Sequence, residues 1–246
     1  MKKIGVIGGM SCESSAVYYT YANELIRARL GGLNSARFLM SSVNFAEVKT
    51  MQMSGDWDLS GQFLANEAKL LEQGGADIVL LATNTMHKVA DAIESAISVP
   101  FLHIADAVAL ALKKQNVETV GLTGTRYTML EDFYKTRLEH KHGLKVIIPS
   151  DDKIDAMNDI IFDELCQGKV KDESRALYVE AMRGMQKQGA EAMILGCTEI
   201  GLLLQEGDFD LPLICSTKAH IEAAVDFALS DEGDLVEIEP VSRIAP

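Results

Sequence analysis

Short apolar runs alternate along the chain with longer stretches whose apolar positions recur at helical spacing. Residues 3–7 form an apolar run closed by Gly8-Gly9, the pattern of a buried strand entering a turn. Residues 13–30 follow with helical periodicity, with Ser11 as the candidate N-cap and Gly31-Gly32 as the stop. The pattern predicts a second strand over 37–43. A helix over 61–73 carries Phe63, Leu64, Leu70 and Leu71 and stops at Gly74-Gly75, and a strand over 77–82 comes next. Thr83-Asn84-Thr85 supplies caps for a helix reaching about Ile97, and 101–104, after Pro100, reads as another strand. Such alternation predicts an α/β architecture with parallel sheets.

The second half repeats the first. Thr119-Val120-Gly121-Leu122-Thr123-Gly124-Thr125 resembles Lys3-Ile4-Gly5-Val6-Ile7-Gly8-Gly9, an offset of 116 residues. Residues 75–83 superpose without a gap on 189–197, an offset of 114, which sets Thr83 opposite Cys197. Val99-Pro100-Phe101-Leu102 matches Leu211-Pro212-Leu213-Ile214 at an offset of 112. Strand–turn–helix units of any α/β protein look somewhat alike, but three matches in one order indicate internal duplication. Duplication predicts two pseudo-symmetric lobes, each with a central, mostly parallel sheet flanked by helices, and an active site in the cleft between them. Residues 1–115 with 211–246 are expected to form the N-terminal lobe and 116–210 the C-terminal lobe. The tail after Ser230, with five acids and Pro240, reads as a solvated extension.

Charge narrows the choice of partner. The 246 residues hold 23 Lys and Arg against 36 Asp and Glu, a net charge of −13. That balance argues against nucleic acid and against an anionic membrane surface, both of which call for a basic face. It leaves room for a small anionic substrate held locally by backbone N–H groups. The first residues enter a strand directly, with no secretion-type leader and no run of about 18 apolar residues, so a cytoplasmic protein is expected. Cys12, Cys166, Cys197 and Cys215 form no CxxC pair and no zinc-ligand spacing. They read as reduced thiols, and no metal is expected.

Thr83 and Cys197 each follow an apolar strand and precede a predicted helix. Ligands of open parallel sheets gather outside the carboxyl ends of the strands, where helix N-termini offer free N–H groups. That field is expected to lower the pKa of Cys197 and favour its thiolate. Two equivalent groups facing one ligand suit proton transfer at both faces of a single carbon. A buried inert thiol is the alternative for Cys197. Gly8-Gly9-Met10-Ser11 is suited to cradling an anion or to serving as a plain turn, and it is neither GxGxxG nor a Walker loop. His87, four residues after Thr83, either tunes the site or is a structural histidine. Cys12 and Cys215 read as packing residues. Met51 and Met53 read as core or pocket lining, and Gln52 as a surface residue or a carboxylate donor.

These residues resemble the aspartate/glutamate racemase family. Gly8-Gly9-Met10-Ser11-Cys12-Glu13-Ser14 is similar to the family's GGMSWEST opening. Thr83-Asn84-Thr85-Met86-His87 resembles its Cys-Asn-Thr-x-His motif, and Gly196-Cys197-Thr198-Glu199 its GCTE motif. Gly124-Thr125-Arg126-Tyr127-Thr128 and Gly55-Asp56-Trp57-Asp58 match as well, and the likeness runs from residue 2 to about 229. Thr in the first catalytic position resembles the L-aspartate/glutamate-type subgroup.

The resemblance implies a cofactor-independent amino-acid racemase of aspartate or glutamate, a homodimer, with Thr83 and Cys197 as the catalytic pair on opposite faces of Cα. It further implies that Met10, Gln52, Asn84, Thr85, Thr125, Thr198 and Glu199 bind the substrate. Without a pyridoxal ring as electron sink, N–H groups around the carboxylate must stabilise the carbanion-like transition state. Three positions depart from the family pattern. Trp is replaced by Cys12, arginine near Gly55 by Gln52-Met53-Ser54, and lysine by Cys166. The basic residues would hold carboxylates by charge-assisted bonds, so the side-chain preference is left open. Two other readings compete: a single-cysteine decarboxylase of the same superfamily, and a non-catalytic amino-acid-binding protein.

Overall fold

The computed structural model describes residues 1–205 and 207–230. The expected solvated extension after Ser230 lies outside the described residues. The elements, in chain order, begin with β1 (Ile4–Gly8), α1 (Cys12–Leu30), β2 (Phe38–Ser42), α2 (Phe45–Ser54), α3 (Trp57–Gln73) and β3 (Ile78–Leu81). A 3-10 turn (Thr85–Val89), α4 (Ala90–Glu94), β4 (Phe101–Leu102) and α5 (Ile104–Lys113) follow. The second half runs β5 (Thr119–Gly124), α6 (Arg126–Leu130), α7 (Asp132–Thr136), a π-helical turn (Arg137–Lys141), β6 (Lys145–Ile147) and α8 (Asp151–Asp159). It continues through α9 (Asp172–Lys187), β7 (Ala192–Gly196), α10 (Ile200–Leu203), β8 (Leu213–Cys215) and α11 (Ser216–Leu229). Among these helices none is long and apolar enough to cross a membrane.

The chain divides into two compact units, residues 1–103 with 220–230 and residues 104–219. Each has one four-stranded parallel sheet, in the orders β2-β1-β3-β4 and β6-β5-β7-β8. The expected α/β class with helix-flanked parallel sheets is what the chain adopts. The central strands β1, β3 and β7 are buried throughout, as strands covered on both faces must be. Edge strand β2 is partly exposed.

Strand register reproduces the duplication. Ile4 pairs with Ile78 and Val120 with Ala192; Val79 pairs with Phe101 and Met193 with Leu213. These are the equivalences given by the sequence offsets of 116, 114 and 112. The same correspondence reaches a carboxylate bracket at the strand starts. Asp77 Oδ2 accepts from the Lys3 N–H, and its counterpart Glu191 Oε2 accepts from Glu118 and Thr119. Those two backbone bonds hold the Glu191 carboxyl below its usual range.

The boundaries expected at 115/116 and 210/211 differ from the ones observed. Strand β8 pairs with β7, so it lies in the second sheet. On α5, Ile104, Ala105, Val108, Ala109 and Leu112 share a core with Val120, Leu122, Ala192 and Ile194. Asp106 on the same helix takes a bidentate pair from Arg137 at 2.8 Å, with Lys141 and His142 also on it at 2.8 Å. In turn, α11 returns to the first unit, where Lys2 N–H donates to Ala228, Tyr21 to Glu222, and Arg29 pairs with Asp226. The helix after the last strand of each sheet thus belongs to the other unit.

Candidate active site

In a parallel sheet the connections leave in opposite directions on either side of one strand pair, and the crevice outside their carboxyl ends is the natural binding place. In the first sheet that pair is β1 and β3; in the second it is β5 and β7. The residues just beyond these four strands are Gly9-Met10-Ser11, Ala82-Thr83-Asn84, Thr125-Arg126 and Cys197-Thr198-Glu199. Topology alone therefore brings nearly all the expected site residues to the two switch points.

At the first switch point Gly9 has φ +92°, and its N–H donates to Ser15 Oγ at 2.7 Å. Ser15 in turn donates to the Ser11 carbonyl, and Ser11 Oγ caps α1 by accepting from Ser14 N–H. The Gly-rich turn is thus stitched to its own helix, and the Gly9 N–H is already engaged. Met10 is buried in the core that also contains Val48 and Met86. Gln52, on α2, donates from Nε2 to Met86 Sδ, so two expected residues, Met10 and Gln52, both reach the core around Met86. Met51 packs on this core, whereas Met53 is 79% exposed.

Thr83 is half-buried, and its N–H donates to the Leu81 carbonyl at 2.9 Å. Asn84 is buried and Thr85 half-buried. The expected single helix to Ile97 is instead the 3-10 turn followed by the five-residue α4, and Asn84 makes no side-chain cap. His87 bonds through Nδ1 to the Thr83 carbonyl at 2.7 Å. The contact made by this ring nitrogen is therefore with the Thr83 main chain.

At the second switch point Thr125 is buried. Its hydroxyl caps α6, accepting from Thr128 N–H and bonding Thr128 Oγ1 at 3.1 Å. Cys197 lies at the rim of a core formed by Tyr178, Leu195, Ile200 and Leu203. Its Sγ–H donates to Glu199 Oε2 at 2.9 Å, and Thr198 Oγ1 donates to the same oxygen at 2.6 Å. Burial pushes the Cys197 thiol well above its ordinary range, and the Glu199 charge and hydrogen bond push it further. The expected lowering by a helix N-terminus is overturned: α10 has only four residues, and the nearest charge is negative. Cys197 is thus a thiol hydrogen-bonded to a carboxylate.

The other cysteines separate cleanly. Cys215 is half-buried in β8, and Cys166 is exposed. Cys12 is exposed rather than packed. It opens a cavity of about 430 Å³ that Ser15, Ala16, Tyr19, Phe38, Met40 and Ser42 also line, on the face where the GGMSWEST pattern has tryptophan. Sequence reading missed His103 and His220, which pack with His87. The offset of 112 gave one signal, since it sets His103 opposite Cys215 at the end of the last strand.

The pattern of the Asp/Glu/Hydantoin racemase family matches residues 7–224. A Bacillus subtilis (strain 168) protein described as a broad specificity amino-acid racemase is 26% identical over 228 residues, 92% of this chain and 98% of that protein. A crystal structure of a Yersinia pestis protein assigned as an Asp/Glu racemase superposes with a TM-score of 0.90. It is 46% identical and covers 94% of this chain and 100% of its own. An aspartate racemase homologue from Pyrococcus horikoshii OT3 gives a TM-score of 0.83 at 35% identity, covering 94% and 100%. The chain belongs to the Asp/Glu/Hydantoin racemase family, and its enzyme class is that of the racemases, isomerases that invert a carbon centre.

Proposed function

We propose that the protein racemises an amino acid, aspartate or glutamate first among them, by two-base proton transfer at Cα. Cys197 serves one face and Thr83 the other. The observation that carries this reading is the register. Thr83 stands two residues after Leu81 and Cys197 two after Leu195, and these two strand residues pair with the equivalent positions Ile7 and Thr123. Two descendants of one ancestral position have kept proton-bearing side chains, each at the switch point of its own sheet. Met10, Gln52, Asn84, Thr85, Thr125, Thr198 and Glu199 would surround the substrate. The acidic side chain is supported by the description of the Yersinia pestis and Pyrococcus horikoshii relatives. The Bacillus subtilis relative, described as broad in specificity, sets the wider choice.

The Cys197 thiol must lose its proton before it can act as a base. An incoming amino acid carries an ammonium group, an opposite charge that favours the thiolate, and Glu199 already accepts the S–H. Once the Cα proton is removed, the opposite group need only deliver one. In the reverse direction Thr83 must itself act as the base, and a hydroxyl is far weaker than a thiol in that role.

Cα exchange is therefore expected to be markedly faster from the enantiomer whose proton faces Cys197, which the resemblance makes the L form. Thr83→Cys is expected to narrow the difference. Proton NMR of L- and D-aspartate and glutamate in D₂O, followed by a wider amino-acid panel, measures both effects. The final mixture must be racemic whatever the rates, so a kcat advantage in one direction is offset in KM. Equal initial exchange of the two enantiomers by the unaltered protein would refute the asymmetry. CO₂ release from a malonate-type diacid with no Cα exchange of amino acids would replace the racemase by a decarboxylase. Binding of an amino acid without exchange would leave a binding protein.

A further inference from the structure

Three histidines gather behind Thr83 within the first unit, none more than 1% exposed. They come from three parts of the chain: His87 from the 3-10 turn, His103 from the residue after β4, and His220 from α11. The His87 and His103 rings lie 4.3 Å apart, and His87 and His220 are 6.0 Å apart. Phe101 closes a further side of His87 at 5.7 Å.

The hydrogen bonds of His220 and His87 fix which of their nitrogens carry protons. A carbonyl can only accept, so His220 donates from Nε2 to the Leu102 carbonyl at 2.8 Å. Nδ1 of a neutral His220 ring is then an acceptor, and Tyr18 O–H meets it at 2.8 Å. By the same argument His87 donates from Nδ1 to the Thr83 carbonyl. Thr83 is therefore held at both ends of its backbone, through its N–H to Leu81 and through its carbonyl to His87. Fixing both peptide planes fixes the Cα–Cβ bond that carries the hydroxyl.

We propose that His87 is a positioning residue for Thr83, and that His103 and the Tyr18–His220–Leu102 chain keep its imidazole from turning. The inference rests on the two-base reading above. It has a consequence that plain core packing lacks. Exchange with retention at the Cys197 face needs only Cys197 and solvent, whereas inversion needs Thr83 in place as well. Loss of the His87 clamp should therefore reduce inversion and spare retention, because a small displacement of a catalytic group costs up to about 100-fold.

The experiment compares His87→Leu, His87→Asn and His87→Gln with the unaltered protein. Each is incubated in D₂O with L-glutamate or L-aspartate. NMR reads deuterium entering the retained enantiomer, chiral chromatography reads the inverted product, and thermal melting reports folding. Asn places an amide N–H where Nδ1 was, and Gln places one where Nε2 was. Expected is a loss of inversion of about 10–100-fold in His87→Leu with retention-exchange within about threefold, rescue by Asn, and no rescue by Gln. Equal loss of both processes, no loss of inversion, or equal rescue by Gln and Asn would overturn the inference while leaving the racemase reading standing. Absence of any Cα exchange in the unaltered protein would overturn the racemase reading and this inference with it. Nitrogen-15 spectra of histidine-labelled protein give an independent readout: a His87 ring protonated only on Nε2 would also refute the clamp.

Discussion

Cys197→Ala is expected to lower inversion of either enantiomer, and Cα exchange of the one whose proton faces Cys197, by about 10³-fold or more, with the fold intact. In the proposed two-base reaction, inversion in both directions depends on the thiol, once as base and once as proton donor. Deleting it removes a term that no neighbour replaces, since Glu199 is bonded to Cys197 from the side and Thr198 shares the same carboxylate oxygen. The fold should tolerate the change, because Cys197 is only half-buried and sits at the edge of its core. A stability loss of about 1 kcal/mol or less is expected, checked by urea unfolding. Cys12, Cys166 and Cys215 should each accept Ser or Ala with activity reduced at most several-fold, which separates a general thiol effect from a specific one.

The electrostatics add a pH signature. A thiol whose pKa is raised is protonated at neutral pH, so the base form grows as pH rises, and kcat/KM from the enantiomer facing Cys197 should climb into the alkaline range. Glu199→Gln removes the negative charge that raises the thiol, so the climb should begin at lower pH in that variant. Inversion by Cys197→Ala at a rate near that of the unaltered protein would remove this residue from the mechanism. An unchanged pH profile in Glu199→Gln would mean that burial alone sets the thiol.

Sequence pattern was most informative where burial is strongest. The apolar runs of β1, β3, β5 and β7 are bounded by glycines and buried in the fold, so period and punctuation agree. Ser11 caps α1 and Gly31 ends it, as their types demand. Helix α2 was not legible: in Phe45–Ser54 only Val48 is fully buried, which leaves no apolar stripe to read. Strand β6 has three residues at a sheet edge and leaves little pattern. The unit boundaries escaped for a different reason. Composition does not change at residue 104 or 220, and only tertiary packing decides which sheet α5 and α11 cover.

The duplication set Thr83 and Cys197 at equivalent positions without any knowledge of shape, because an offset in sequence becomes an offset in register. The Cys197 environment was misjudged. A cysteine after a strand suggests a helix N-terminus, but a four-residue α10 has almost no dipole to offer, and Glu199 acts from two residues away. His103 and His220 stand 16 and 133 residues beyond His87, and nothing local in sequence ties them together.

Gly9→Ala is expected to be the most damaging single substitution for the first unit, lowering stability by about 3 kcal/mol or more. The turn after β1 must bring the chain back over the end of β2 before α1 begins. Gly9 does this at φ +92°, a region that costs an L side chain about 1–2 kcal/mol. Strain is the smaller part. A Cβ on Gly9 would lie 2.2 Å from the Val43 carbonyl oxygen and 2.6 Å from the Val43 nitrogen, both backbone atoms. No rotamer change relieves that contact, so the end of β2 must move. The bond from Val43 N–H to the Gly8 carbonyl and the bond from Gly9 N–H to Ser15 are then at risk together. Gly55→Ala supplies the contrast. Gly55 also has positive φ, at +72°, but has nothing within 4 Å of a built Cβ, so strain alone should cost about 1 kcal/mol. Melting temperature and soluble yield of the two variants measure the difference. If Gly9→Ala melts no lower than Gly55→Ala, the β2 end yields freely, and the turn that places Met10 is looser than its contacts imply.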